Sequence, residues 1–136
     1  DIDKMIKLGA SGVQMGTRFL GASECDARYY NELMPKIKKE DIELIKSPVG
    51  YPARAIVTGV IRELREGRKP KIACISNCVA PCHRGEEAKK VGYCIADGLG
   101  DGYLGDPIKG LYFTGANGYR IEKIQSVKEI LDELTK

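Results

Sequence analysis

Apolar residues recur at helical spacing in several stretches of the chain, with glycine- and proline-rich turns between them. Ile2, Met5 and Ile6 predict a helix over Asp1 to Leu8, and Gly9 is its stop. Gly12-Val-Gln-Met-Gly-Thr17 reads as a short strand, buried on both faces and ending in a glycine turn. Ser23 is expected to cap a helix running to about Met34, with Ala22, Cys25, Tyr29 and Leu33 on one side and Pro35 after it. Lys36 to Glu40 is charged and expected at the surface. Ile42 to Ile45 reads as a strand, and Ser47-Pro-Val-Gly-Tyr-Pro52 as a turn cluster. The strongest helical pattern covers Ala53 to Glu66: Ala53, Ile56, Val57, Val60, Ile61 and Leu64 share one face, and Gly67 supplies the cap. Gly59 lies inside it at a cost of about 1 kcal/mol against alanine, which predicts a close packing partner.

Lys69 to Asp106 shows little periodicity and holds most of the cysteines together with prolines and glycines. Burial of apolar side chains alone would scarcely order it, so a ligand or a larger body is expected to help. Leu111 to Phe113 reads as a brief strand and Thr114-Gly-Ala-Asn-Gly118 as a loop. The last helix is well marked: Ser126 and Glu129 form a capping box ahead of the stripe Val127, Ile130, Leu131, Leu134. So few strands cannot close a sheet. A helix, a buried parallel strand and another helix are what the end of an (α/β) barrel looks like. The reading divides the chain at 67/68, into a barrel end and a Cys-rich segment with the last helix, within one domain incomplete at its N-terminus. A chain that starts with Asp1 and is helical from its first residues points the same way, to a fragment or processed product.

With 136 residues there is enough chain for one apolar core. A net charge of +3, with basic residues scattered among acidic ones, gives no reason to expect nucleic acid. No apolar run approaches the roughly 20 residues of a membrane helix. Five cysteines without a secretory signal suggest a reducing, cytoplasmic setting, where clustered thiols more often bind metal than pair as disulfides.

Gly9 to Phe19 is the first stretch with chemistry in it. A strand ending at Met15, a glycine at 16 that lets backbone approach a ligand, and Thr17 with a hydroxyl and an N–H suit a phosphate. Arg18 adds a charge that would face either the anion or solvent. From the residues alone, a plain strand-to-helix turn is the competing reading. Gly12-Val-Gln-Met-Gly-Thr-Arg-Phe19 resembles the last barrel strand of the nitronate monooxygenases and the related flavin-dependent enoyl-carrier-protein reductases. Lys46-Ser-Pro-Val-Gly-Tyr-Pro-Ala-Arg-Ala55, Phe113-Thr-Gly-Ala-Asn-Gly-Tyr-Arg120 and the helix Ser126 to Leu131 resemble later segments of the same family. The likeness covers nearly the whole chain and the carboxy-terminal portion of a family member. It implies a TIM (β/α)8 barrel that binds FMN, with Gln14, Met15, Gly16 and Thr17 at the cofactor's phosphate. It also implies that the family's other phosphate loop and its catalytic histidine precede residue 1. His83, the sole histidine, does not match that position, so no catalytic base is assigned. Gly115, Ala116 and Asn117 match a segment near the mouth of the family's active site; a turn before the last helix is the other reading.

The cysteine spacing is Cys74-x3-Cys78-x3-Cys82-x11-Cys94. Three close thiols and one distant thiol suit a [4Fe–4S] cluster better than zinc, which usually takes two close pairs. The segment resembles the cluster motif of the flavoenzymes typified by 2,4-dienoyl-CoA reductase, with the first gap one residue longer here. Unligated thiols are the third possibility. Cys25 reads as a small core residue on a helix face.

The expectation is therefore an FMN-dependent oxidoreductase acting on a small molecule. A nitronate oxidised with O₂ is the first choice and an enoyl thioester the second. Metal would be held by Cys74, Cys78, Cys82 and Cys94. The competing readings are a metal-binding interaction module built on those four cysteines, without catalysis, or an inactive fragment. Open strand edges would favour a homo-oligomer or pairing with a missing N-terminal half.

Overall fold

The computed structural model describes residues 2–69, 71–72, 74 and 76–135. Its helices are α1 (Ile2–Lys7), α2 (Tyr29–Leu33), α3 (Gly59–Arg65), α4 (Glu86–Val91), α5 (Ile95–Tyr103) and α6 (Val127–Leu134). Its strands are β1 (Ile42–Ile45) and β2 (Ala53–Ile56), paired antiparallel with Ile42 opposite Ile56 and Ile45 opposite Ala53.

β2 is the structural axis. On its other edge it meets the stretch around Phe113, where Ala55 and Phe113 form an antiparallel bridge. Ile56 N–H donates to the Tyr112 carbonyl at 2.8 Å, and Thr114 N–H donates to the Arg54 carbonyl at 3.1 Å. Side chains alternate between sheet faces. Ala55 and Leu111 accordingly belong to one apolar cluster, with Val57, Val60, Ile61 and Tyr93. Ile56 and Tyr112 belong to a second, with Met34, Ile37 and Ile121. Both faces are covered, so Leu111 and Tyr112 are consecutive apolar residues rather than an apolar–polar pair.

Tyr112 is fully buried against Tyr29 and Tyr30, each ring centroid 5.2 Å from its own. Its hydroxyl donates to the Asp106 carbonyl at 3.0 Å, and burial pushes its pKa up to about 12. Rings of this kind dominate small cores.

Several expectations hold. β1 falls on Ile42–Ile45, Gly9 has a φ of +97° just past α1, and Gly67 has a φ of +75° just past α3. Ser126 caps α6, accepting from Glu129 N–H while the Glu129 carboxylate accepts from Ser126 N–H. Gly59 has the predicted close partner: a Cβ there would lie 2.6 Å from the backbone of Ile108.

Other expectations are corrected. The helix over Ala53–Glu66 is a strand followed by a helix. The helix is real from Gly59 onward, but Ala53–Ile56 find backbone partners on both edges, and long-range pairing overrides local period. The helix from Ser23 shrinks to Tyr29–Leu33, because Ser23 N–H is drawn to the Gln125 carbonyl at 2.9 Å. Cys25 consequently lies outside any helix and is half-buried. Residues 12–15 form no strand among the described residues. A strand exists through its neighbours, and here Val13 stands 39% exposed with none. The cysteine segment contains α4 and α5, so it is more ordered than its composition suggests. Asp1, the first residue of the expected N-terminal helix, lies outside the described residues. The described sheet is open, and the barrel expected from the sequence is not closed within this chain.

Gly59→Ala is expected to lower stability by about 1–3 kcal/mol in urea unfolding, because the backbone of Ile108 cannot give way. Gly100→Ala, inside α5 with nothing within 4 Å, is expected to raise stability by about 0.5–1 kcal/mol.

Candidate functional site

Gln14, Met15, Gly16, Thr17 and Arg18 line a cleft of about 250 Å³ together with Gly115, Ala116 and Asn117. The expected phosphate residues and the expected mouth loop therefore face one space, although about a hundred residues separate them. The Gly115 N–H donates to Thr17 Oγ1 at 2.9 Å. A Cβ at Gly115 would sit 2.5 Å from that oxygen, so the contact requires glycine. A Cβ at Gly16 would meet nothing within 4 Å, and would fill open space beside the cleft.

Gly16 opens a 3-10 turn over Thr17–Gly21, whose first hydrogen bond runs from Phe19 N–H to the Gly16 carbonyl at 3.0 Å. The N–H groups of Thr17 and Arg18 come before that bond and are not spent on it. The Thr17 hydroxyl accepts from Gly115 and keeps its own proton to donate. Oriented donors without a carboxylate among the lining residues make a cleft suited to an anion.

Four long-range contacts hold the cleft's walls. The Tyr30 hydroxyl donates to the Phe113 carbonyl at 2.7 Å, beside the 114–117 turn, and burial raises its pKa well above the usual tyrosine range. Ala22 and Gln125 form a parallel bridge. Arg18 Nη2 donates to Gln125 Oε1 at 2.6 Å and to Glu133 Oε2 at 3.2 Å. The Glu133 carboxyl is held below its ordinary range chiefly by the Gln125 amide, which donates to it at 2.6 Å, with Lys123 and Arg18 adding to the effect. Sequence reading missed Gln125 and Glu133; separations of 107 and 115 residues from Arg18 leave no local signal.

The cysteines occupy different surroundings. Cys82 is buried and its Sγ accepts from Ala88 N–H at 3.3 Å. Cys74 lies against Gly85, whose added Cβ would be 2.6 Å from the Cys74 Cβ. Cys78 is exposed. Cys94 caps α5, and burial raises its thiol pKa against the N–H groups of Asp97 and Ala96 that favour thiolate. Among the described residues no three His, Cys, Asp or Glu side chains gather to hold a metal ion. His83 is exposed in the turn that precedes α4. No described helix is long and apolar enough to cross a membrane.

The mixed α/β arrangement has a counterpart among solved structures. FabK from Thermotoga maritima superposes with a TM-score of 0.65 over 96% of this chain at 23% identity, and this chain covers 37% of that one. At that identity the likeness shows the fold alone, as part of a larger barrel. No curated protein matches the chain. The nitronate monooxygenase profile matches residues 1–136, and the chain belongs to that family of FMN-dependent oxidoreductases.

Iodoacetamide at mildly alkaline pH is expected to label exposed Cys78 well before Cys94, whose thiolate is disfavoured by burial, and before buried Cys82. Peptide mass spectrometry reads the order; equal rates would mean that the loop opens freely.

Proposed function

We propose that this chain supplies the phosphate end of an FMN site in an enzyme that oxidises alkyl nitronates with O₂. The observation that carries it is the shared cleft: Gln14, Met15, Gly16 and Thr17 open onto the same space as Gly115–Asn117, with donors and no carboxylate in the lining. Family membership supports the flavin, and the open space beside Gly16 suits the close approach of a phosphate to backbone.

FMN, when bound, supplies electron acceptance from substrate and reaction with O₂. The chain's own residues would bind and orient. Thr17 would donate its hydroxyl proton to a phosphate oxygen while Gly115 N–H fixes that hydroxyl from behind. The N–H groups of Thr17 and Arg18 would add donors. Gly115 and Ala116, with little or no side chain, would leave room for the ring system. None of the described lining residues is a carboxylate or imidazole, so the role proposed for them is to position a cofactor. The FabK likeness would suit enoyl-thioester reduction equally well on fold, and fold does not choose a substrate. Family membership favours the nitronate.

Gly16→Val combined with Thr17→Ala is expected to weaken FMN binding by about tenfold or more, since a charge-assisted hydrogen bond and backbone access are both lost. Calorimetry on the purified protein measures it; unchanged affinity would remove the phosphate role.

A further inference from the structure

Arg18 stands between two clefts. It lines the one just described, and also a second, polar cleft of about 390 Å³ with Arg120, Lys123, Gln125 and Glu133 among its walls. Its guanidinium is held from the second side and through one nitrogen only: Nη2 donates to Gln125 Oε1 and Glu133 Oε2. Nε and Nη1 make no hydrogen bond to any described residue.

The holders are themselves fixed. Gln125 is buried, and its N–H donates to the Gly21 carbonyl at 3.1 Å while its carbonyl accepts from Ser23 N–H at 2.9 Å. Glu133 sits on α6 and accepts from the Gln125 amide at 2.6 Å and from Lys123 at 3.5 Å. An arginine pinned in this way has already lost rotamer freedom, yet keeps Nε and Nη1 as donors not used by any described residue. Among the residues lining the first cleft it is the one charged side chain.

We propose that Arg18 is a ligand of the FMN phosphate and that Gln125 and Glu133 are positioning residues that hold it there, so that cofactor retention depends on the C-terminal helix. This rests on the FMN reading above. It goes beyond that reading by adding a charged contact and by giving α6 a role in binding.

The test compares FMN with riboflavin, which lacks the phosphate, by fluorescence titration of the purified protein. Arg18→Gln is expected to weaken FMN by about tenfold or more and leave riboflavin unchanged. Glu133→Gln, which keeps the side chain's size on an exposed helix face, is expected to weaken FMN several-fold, again without effect on riboflavin. In the Arg18→Gln background it should add nothing, because residues that act through one another are not additive. A purely structural role for Glu133 would weaken both flavins and persist without Arg18. An FMN-to-riboflavin ratio unmoved by Arg18→Gln would overturn the proposal and leave the FMN reading standing. Failure of the unsubstituted protein to take either flavin would remove both.

Discussion

The rest of the structure depends on β2 being enclosed on four sides. Its backbone bonds to β1 on one edge and to the stretch 112–114 on the other. Its alternate side chains enter different apolar clusters. A short strand has little stability of its own, and two neighbours with both faces covered are what make it persist. Fully burying side chains such as Ile56 and Leu111 contributes about 1.5–3 kcal/mol each. The same enclosure fixes the position of Thr114, and through it the turn that carries Gly115.

The candidate site inherits its geometry from that fixed edge. Residues 14–18 belong to no regular strand, and α1 before them buries no side chain. What places them is a set of polar contacts to the far end of the chain: Thr17 with Gly115, Arg18 with Gln125 and Glu133, and Ala22 with Gln125. Each such contact is individually modest. Together they tie a weakly packed segment to a well-packed one. Binding loops on a rigid scaffold follow this plan generally.

In the cysteine segment, spacing along the chain does not say where each thiol goes. Close thiols in the chain suited a cluster, yet Cys74 and Cys82 turn to Gly85 and Ala88 while Cys94 starts a separate helix. Backbone conformation decides where each thiol goes. The loop takes positive φ at Asn77, Arg84 and Gly85, and the Asn77 side chain accepts from Arg84 N–H at 2.8 Å. Nothing in a count of intervening residues records those turns.

By itself the sequence determined what is local or compositional. The cap and stripe of α6, the glycine stops after α1 and α3, and the Gly16-Thr17 turn were legible because each depends on neighbours within one or two turns of chain. The resemblance of three segments, in order, pointed to the family that the match over residues 1–136 shows. Tertiary structure decided the rest. It made a strand of Ala53–Ile56, left residues 12–15 unpaired, brought Gly115 to Thr17, and gave Arg18 its partners. Those outcomes rest on hydrogen bonds and packing between residues tens to a hundred positions apart, and the free energy of such contacts is set by where the whole chain goes, not by the residues that adjoin them.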